Sequence, residues 1–385
     1  MENALAARVR ARVADLDSQG LLRTLRPPAG IDLSSNDYLG LATHPRLAAR
    51  LAVAVEQDGC GSTGSRLLRG HRERFTAIEQ RFAAFKGAER SLYFSSGYLA
   101  NLAVLATLPE AGDVIYSDER NHASIIDGIR LSRAARVIVP HGDVGALERR
   151  LAGHDAAGER FVVIESLFSM DGDIAPLADY AAVCRRHGAL LLVDEAHAVG
   201  IYGPDGSGLV RDSGADDDVL VSINTAGKAL GVAGAFVAGP AWAIDYLQQR
   251  ARPFVFSTAP PPALAAALAA ALDVLAAEPE RRETLRARVR FLRARLARAG
   301  LARAAGTSQI VPIVVGANEA AVALAAGLQR RGFDVRAIRP PTVPPGTARL
   351  RVAVNAQLSE DDLERFVAAL GQGLKEIEPC SAACS

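Results

Sequence analysis

The sequence predicts an α/β protein with a mostly parallel sheet in a large domain and a smaller α+β C-terminal domain. Short apolar segments without polar alternation, of which Ala189–Val193 is the clearest, are separated by segments with helical spacing. Strands of this kind are typical of parallel sheets covered by helices on both faces. From about residue 260 the chain becomes rich in alanine and arginine, which indicates a second packing unit. With 385 residues, of which 49% are apolar and 23% charged, the chain is long enough for two cores.

Composition and charge exclude several functional classes. The formal net charge is +1, so no global field draws the protein to nucleic acid or to acidic membrane surfaces. The longest apolar run, Ala263–Leu272, is too short to cross a bilayer. The N-terminus has no signal-peptide pattern, and the four cysteines form no CxxC pair of the metal-binding type. We therefore expect a cytoplasmic protein that binds neither nucleic acid, membrane nor metal.

Residues 1–40 are predicted to form an N-terminal helix and arm. Apolar residues recur at helical spacing between Leu5 and Leu16, which predicts an amphipathic helix. Prolines and a glycine within 27–30 end this helix, and 31–41 is predicted to be a short strand and turn.

The large domain is predicted over residues 41–260, where helices and strands alternate. It opens with a helix at 46–57 and a glycine-rich loop at 59–70. The predicted elements that follow are helix 74–86, strand 91–94, a helix from Tyr98, strand 113–117, a helix from His122, strand 136–139, a helix from Val144, strand 161–165, a helix from Leu177, and strands 189–193, 219–223 and 234–238.

The smaller domain is predicted over residues 261–376. Its predicted elements are two helices within 261–299, strand 309–315, helix 317–331, strands 334–339 and 348–354, and a final helix. Ser359 with Asp362 three residues later is an N-cap signal for that helix. Residues 377–385 are predicted to be a disordered tail.

Two short motifs suggest nucleotide binding: an NTPase stays as a competing interpretation from another class, and a dinucleotide site is rejected. Asp194-Glu195-Ala196-His197 is also the acidic box of some helicases, but an NTPase needs an upstream GxxxxGK[ST] loop, and the sequence has none. The string Gly59–Gly64 is a literal GxGxxG, but it follows a predicted helix instead of a strand.

Lysine chemistry has only three candidates, because the other 41 basic residues are arginines. Lys228 follows an apolar strand in the string Thr-Ala-Gly-Lys, whereas Lys86 and Lys375 are predicted to be surface residues. A partly desolvated lysine at a strand end has the character of a Schiff-base lysine. Asp194 also ends a strand, and enzymes that use pyridoxal phosphate pair a carboxylate with the pyridinium nitrogen.

Three further segments sit where strands end and ligands of α/β sheets bind. His197 follows Asp194 closely enough to reach the same ring, although a structural histidine is an equally good reading. His122 opens a helix after a strand and could stack on a flat cofactor, although most such residues only begin helices. Ser95–Tyr98 also opens a helix after a strand, and such a helix N-terminus suits a phosphate.

Taken together, these residues resemble the α-oxoamine synthase family of pyridoxal phosphate enzymes over about residues 20–375. The strings that carry the resemblance are Leu33–Leu41, Ser96–Tyr98, Asp118–Ser124, Phe168–Asp173, Val193–His197 and Thr225–Lys228. The resemblance implies the fold-type I, aspartate-aminotransferase-like architecture and a homodimer. The sequence departs from the family pattern at Tyr98, where near relatives carry phenylalanine, and in the residues of loop 61–70.

The resemblance also implies roles for individual residues. Lys228 would bind the cofactor aldehyde and move the proton, Asp194 would pair with the pyridinium nitrogen, His197 would contact the ring oxygen and His122 would stack on the ring. The other implied contacts with the cofactor or its phosphate come from Gly97, Tyr98, Ser169 and Thr225. The implied substrate contacts come from Arg351, which would hold the amino-acid carboxylate, and from Arg23, His122, Thr342 and Asn36, with Asn36 and loop 61–65 completing the site across the dimer.

Within the family, Ile338–Arg351 is most similar to members that condense L-alanine with a pimeloyl thioester in biotin synthesis. The thioester would be pimeloyl-CoA or pimeloyl-acyl carrier protein. A sibling enzyme that uses glycine or serine is the alternative. A non-catalytic relative is disfavoured because Lys228, Asp194 and His197 are intact.

Overall fold

The computed structural model describes residues 3–153, 158–301 and 306–381, with side chains to residue 377. The chain divides into two compact units. The large unit comprises Asn36–Ser169 and Asp173–Glu283, and the small unit comprises Met1–Ser35, Met170–Gly172 and Thr284–Ser385.

The helices and strands follow the predicted alternation closely. In the first half of the chain they are α1 (Ala4–Ser18), β1 (Ile31–Asp32), α2 (Pro45–Asp58), α3 (Glu73–Lys86), β2 (Arg90–Phe94), α4 (Gly97–Leu105), β3 (Val114–Asp118), α5 (Ala123–Leu131), β4 (Ala135–Val139), α6 (Val144–Ala152), β5 (Arg160–Glu165), α7 (Leu177–His187) and β6 (Leu190–Asp194). In the second half they are α8 (Leu209–Asp212), β7 (Val219–Thr225), β8 (Ala235–Gly239), α9 (Ala241–Arg250), α10 (Arg252–Val255), α11 (Ala263–Ala277), α12 (Glu280–Arg298), β9 (Ile310–Gly316), α13 (Asn318–Arg330), β10 (Phe333–Asp334), β11 (Ala337–Ile338), β12 (Ala348–Ala353) and α14 (Glu360–Ser381).

The large unit is built on one seven-stranded sheet with the order β2-β8-β7-β6-β5-β3-β4. Only β8 runs antiparallel, against both β7 and β2, so the predicted mostly parallel sheet is confirmed. Its central strands are apolar along their whole length because both faces are covered: Leu191, Leu192 and Val193 are fully buried. The parallel strands bring their carboxyl ends to one edge of the sheet, where ligands of such folds bind.

The small unit contains an antiparallel sheet with the order β11-β12-β9 and the short pair β1-β10. The predicted strand 334–339 is therefore two strands, β10 and β11, in different sheets. Helix α14 begins as the N-cap signal predicts, because the Asp362 amide donates to Ser359 Oγ at 3.0 Å.

Three predicted boundaries are wrong. The N-terminal segment belongs to the small unit, because β1 pairs in parallel with β10 and the Ala353 amide donates to the Leu33 carbonyl at 2.8 Å. The large unit extends through Glu283 instead of ending at 260, because α11 packs against α2 and α3. The tail does not begin at 377, since α14 continues to Ser381; residues 382–385 lie outside the described part of the chain.

Helix α1 is amphipathic as predicted, and its apolar side chains, from Leu5 to Leu16, are exposed. Within the described ranges, no helix is both long enough and apolar enough to cross a membrane.

Candidate active site

The candidate site lies in the large unit at the carboxyl ends of four neighbouring strands. His122 follows β3, Glu165 ends β5, Asp194 ends β6 and Thr225 ends β7. Lys228 lies three residues beyond Thr225. Residues far apart in sequence meet here because parallel strands end at the same sheet edge.

The amine of Lys228 is held in a chain of polar contacts. Lys228 Nζ lies 2.8 Å from His197 Nε2, and His197 Nδ1 lies 2.7 Å from Tyr38 Oη. Tyr38 Oη donates to Asn36 Oδ1 at 2.9 Å. When the single phenol hydrogen goes to Asn36 and the imidazole is neutral, His197 Nδ1 donates to Tyr38 and Nε2 accepts from Lys228. Asn36 and His197 were predicted site residues, whereas Tyr38, which joins them, was not predicted.

The carboxylate of Asp194 is buried and fixed by two donors. Its Oδ2 accepts from Asn101 Nδ2 at 2.7 Å, and its Oδ1 accepts from the Ala196 amide at 2.8 Å. Asn101 also donates to Ser124 Oγ at 2.9 Å, and Ser124 Oγ lies 2.8 Å from His122 Nδ1. Asn101 and Ser124 therefore connect Asp194 to His122. No local signal in the sequence marks Asn101, which lies within α4.

His122 is the N-cap residue of α5, and its Nδ1 accepts from the Ser124 amide at 3.2 Å. Although the residue as a whole is accessible, loss of water around its ring is the largest influence and lowers its pKa. The negative charge of Asp194 acts in the opposite direction, and the positive charge of Lys228 lowers the pKa further. His122 is therefore a neutral ring at pH 7, suited to packing against a flat ligand.

Glu165 is a site residue that the sequence analysis missed. It is paired in register with Asp194 across β5 and β6, and both carboxyls are buried. The backbone amides of His122 and Ser169 donate to the Glu165 carboxyl, and its Oε1 has no hydrogen-bond partner among the described residues. Burial is the largest influence and, with the neighbouring charge of Asp194, raises the pKa of Glu165 to about 8. Hence Glu165 is a neutral acid at pH 7, which leaves Asp194 as the charged carboxylate of the pair.

The N-terminus of α4 forms the polar corner predicted for a phosphate. Ser96 caps the helix, its Oγ accepting from the Leu99 amide at 3.2 Å. A Cβ at Gly97 would lie 3.4 Å from Thr225 Oγ1, so glycine keeps this corner open. Tyr98 is 41% exposed and its hydroxyl donates to the Asp127 carboxylate.

Lys86 is not the surface residue that the sequence predicted. It is buried, and its ammonium contacts the Glu195 carboxylate and the Ser207 carbonyl. The other Glu195 oxygen accepts from the Val210 amide at 2.9 Å. This buried pair anchors the segment that begins directly after Asp194.

The remaining predicted substrate residues lie in the small unit. Arg351 is buried in β12, opposite Pro312 of β9. Arg23 reaches the Pro340 carbonyl at 3.4 Å, and the Thr342 amide donates to the Arg339 carbonyl at 3.1 Å. Their roles toward a substrate stay predictions.

The residues of the large unit fit pyridoxal phosphate. Lys228 offers a primary amine for its aldehyde, and Asp194 offers a buried, already oriented carboxylate for its ring nitrogen. The corner at Gly97 and Thr225 offers helix N-terminal amide hydrogens for its phosphate, beside the Thr225 hydroxyl, which here donates to the Gly234 carbonyl at 3.3 Å. The buried Asn101 Oδ1, which has no partner among the described residues, lies beside this donor set.

Comparison with known proteins agrees with this geometry. The sequence profile of the aminotransferase class I and II family matches residues 28–370. The 8-amino-7-oxononanoate synthase of Anaeromyxobacter dehalogenans is 49% identical over 383 residues, covering 96% of this chain and 96% of that protein. A serine palmitoyltransferase from S. paucimobilis, with a bound PLP–myriocin aldimine, superposes with a TM-score of 0.90 at 28% identity, covering 98% of this chain and 99% of that one. The 8-amino-7-oxononanoate synthase of Francisella tularensis superposes with a TM-score of 0.78 at 28% identity, covering 90% and 98%. The predicted fold-type I class is confirmed.

Proposed function

Because the chain belongs to the class I and II aminotransferase family and, within it, to the α-oxoamine synthases, we propose that it makes 8-amino-7-oxononanoate for biotin biosynthesis. The enzyme condenses L-alanine with a pimeloyl thioester, of coenzyme A or acyl carrier protein, and releases CO2 and the thiol. The observation that carries this proposal is the contact of Lys228 Nζ with His197 Nε2 at 2.8 Å, beside the buried carboxylate of Asp194.

Pyridoxal phosphate, when bound, supplies an electron-accepting ring that stabilises negative charge at the amino-acid Cα. Lys228 Nζ acts as the general base that removes the Cα proton and later returns one. Its amine lies three residues beyond the end of β7, at the same sheet edge as Asp194. His197 Nε2 accepts a hydrogen from that amine and so fixes its direction. Asp194 keeps the ring nitrogen protonated, and Asn101 keeps Asp194 oriented.

The substrate carboxylate is held by Arg351, because a buried guanidinium offers a two-pronged contact to a carboxylate. Holding that group sets which bond at Cα breaks, and such positioning supplies much of a rate enhancement. We assign Arg23, Thr342 and Asn36 to the acyl substrate and product. The active form is a homodimer in which Asn36 and loop 61–65 complete the partner's site.

The compartment is the cytoplasm. Of the cysteines whose side chains the structure describes, Cys60 is free and exposed and Cys184 is free and buried. An exposed free thiol suits a reducing compartment, and this supports the assignment.

A sibling activity with serine is the second candidate. The observation that favours it is the TM-score of 0.90 to serine palmitoyltransferase, against 0.78 to an 8-amino-7-oxononanoate synthase. The 49% identity to an 8-amino-7-oxononanoate synthase favours alanine, because the side chains that select a substrate differ among proteins that share a backbone fold.

The test is an absorbance spectrum of the purified holoenzyme with L-alanine, glycine and L-serine in turn, followed by pimeloyl-CoA. We expect L-alanine alone to change the cofactor band, and mass spectrometry to find 8-amino-7-oxononanoate only in that mixture. The Lys228→Ala variant should form no product and no covalent cofactor adduct, whereas Lys375→Ala, at an exposed position of α14, should match wild type. A response to serine alone would favour the second candidate, and a protein that never binds pyridoxal phosphate would contradict both.

A further inference from the structure

The imidazole of His141 lies between two carboxylates, and the proposed function assigns it no role. His141 follows β4 in the large unit. Its Nδ1 lies 2.9 and 3.1 Å from the two carboxylate oxygens of Asp118, and its Nε2 lies 2.8 Å from Asp173 Oδ2. The His141 side chain is only 15% exposed and that of Asp118 only 2%. Because an ionised carboxylate only accepts hydrogen bonds, both ring nitrogens must carry hydrogen, which makes the ring an imidazolium.

The first carboxylate of this bridge organises the turn that leads to His122. Asp118 ends β3, its Oδ1 accepts from the Arg120 amide at 2.8 Å, and its Oδ2 accepts from the Gly142 amide at 3.0 Å. Three residues after Asp118, the Asn121 side chain donates to the Val163 carbonyl at 2.8 Å. Asp118 therefore sets the path of the backbone into His122.

The second carboxylate organises the hairpin that carries Ser169. The Phe168 amide donates to the Asp173 carbonyl at 3.0 Å, and Leu167 forms a bridge with Ile174. The Phe168 ring packs edge-on to His141, with ring centroids 4.4 Å apart and an interplanar angle of 88°. His141 thus contacts this hairpin through both a charged hydrogen bond and an aromatic ring.

The groups around His141 favour its charged form. Burial opposes the charge, but the hydrogen bonds to Asp118 and Asp173 outweigh it and raise the pKa of His141 to about 9. The titratable groups beside this bridge include Glu119, whose carboxylate accepts from the His141 amide at 3.2 Å, Asp143, two residues further along, and Tyr180, whose pKa is raised by burial and further by Asp118. These three groups are acids, so none of them opposes the charge of the imidazolium.

We propose that His141 is a positioning residue of the active site, whose imidazolium fixes the turn that leads to His122 against the hairpin that carries Ser169. The proposal rests on the proposed contacts of His122 and Ser169 with pyridoxal phosphate. It assigns to His141 no contact with substrate or cofactor. The affinity for pyridoxal phosphate therefore depends on the positive charge of His141, which holds the turn that leads to His122 against the hairpin that carries Ser169.

The test compares wild type with His141→Gln and His141→Ala. His187→Gln is the matched control, because His187 is a partly buried histidine of α7 that faces one carboxylate, Glu148, at 3.7 Å outside the site. Pyridoxal phosphate is titrated into each apoprotein by absorbance at pH 7.5 and at pH 10, and each apoprotein is melted at both pH values by circular dichroism.

At pH 7.5 we expect His141→Ala to bind pyridoxal phosphate about tenfold more weakly than wild type, the loss that follows when the buried charged hydrogen bond to Asp118 is left unmade. His141→Gln should lose less, because glutamine restores one of the two donors. Since the charged ring is lost as the pH rises through about 9, the advantage of wild type should disappear at pH 10. The control should follow wild type at both pH values.

Two results would overturn the proposal: equal affinities of wild type and folded His141→Ala at pH 7.5, or a wild-type advantage that persists unchanged at pH 10. The apoprotein melts test the bridge separately from the proposed function. If wild type binds no pyridoxal phosphate at all, the proposed function fails. The contacts of His141 with Asp118 and Asp173 still predict a higher melting temperature for wild type than for His141→Gln at pH 7.5, but not at pH 10.

Discussion

Glu165 and Asp194 occupy paired positions on the parallel strands β5 and β6, so two buried carboxyls meet at the edge of the sheet. Two neighbouring carboxylates in a buried site repel each other and lose the solvation of their charges, so ionising both is unfavourable. Asp194 accepts from Asn101 and from the Ala196 amide, whereas one Glu165 oxygen has no partner among the described residues. The pair therefore divides into a charged member and a neutral member.

The first prediction concerns Glu165. Glu165→Gln should keep most activity and cost less than about 1 kcal/mol at pH 7, because glutamine is neutral and still accepts from the His122 and Ser169 amides. Glu165→Ala should cost about 1–3 kcal/mol for each amide left without a partner. Both values are measured by urea unfolding of the apoprotein. A severe loss of activity in Glu165→Gln would show that the working form is the carboxylate.

The same variant tests the pH dependence. Burial raises the pKa of Glu165 from 4.5 to about 8, so the folded protein holds a proton that the unfolded chain releases. The stabilisation from this proton is complete below pH 4.5 and is lost as the pH rises to about 8. Wild type should therefore lose stability relative to Glu165→Gln across that interval. A constant difference between the two proteins from pH 4.5 to 8.5 would contradict the assignment.

The second prediction concerns Asp194. Asp194→Asn should still bind pyridoxal phosphate but lower kcat by about 10²–10³-fold, the range for one oriented electrostatic contact in an active site. The physical reason is that a neutral amide does not hold the ring nitrogen in its protonated form. Cofactor content by absorbance and steady-state kinetics check this, with Asp217→Asn, in the exposed turn before β7, as the control. Wild-type kcat in Asp194→Asn would exclude this role.

The third prediction concerns the buried pair of Lys86 and Glu195, whose side chains are 3% and 0% exposed. Lys86→Met should destabilise the apoprotein by about 3–5 kcal/mol, because it leaves the Glu195 carboxylate buried without its partner. The double variant with Glu195→Gln should recover part of that loss, because it removes the unpaired charge. Urea unfolding of the single and double variants measures both effects. No recovery in the double variant would mean that Lys86 acts through packing instead of charge.

The fourth prediction concerns Arg351, a buried residue of β12. If it holds the substrate carboxylate, Arg351→Ala should raise KM for L-alanine by about 10–100-fold, the loss of a charge-assisted hydrogen bond. Pyridoxal phosphate content should stay unchanged, because the cofactor is assigned to residues of the large unit. Arg365→Ala, at a half-exposed position of α14 whose side chain is 56% exposed, is the control. An unchanged KM would remove Arg351 from the substrate site.

The sequence by itself determined the order of the elements and the mostly parallel sheet, and it singled out Lys228 as the lysine proposed to react. These features are local: continuous apolar strands, a capping signal at Ser359, and a lysine directly after a strand. The sequence also indicated Asp194, His122 and His197, because residues at the carboxyl ends of parallel strands share one edge.

Only the tertiary structure decided which polar groups are buried and what they contact. Lys86 ends an amphipathic helix, and its burial depends on Glu195 and Ser207, more than a hundred positions away in the chain. Tyr38 and Asn101 carry no local signal, because their partners come from distant parts of the sequence. Glu165 and His141 lie at or just after the ends of predicted strands, which could have marked them, but their buried carboxylate partners are set by the tertiary structure. The domain boundary was misplaced for the same reason: the pairing of β1 with β10, three hundred residues apart, is a non-local contact that periodicity does not encode.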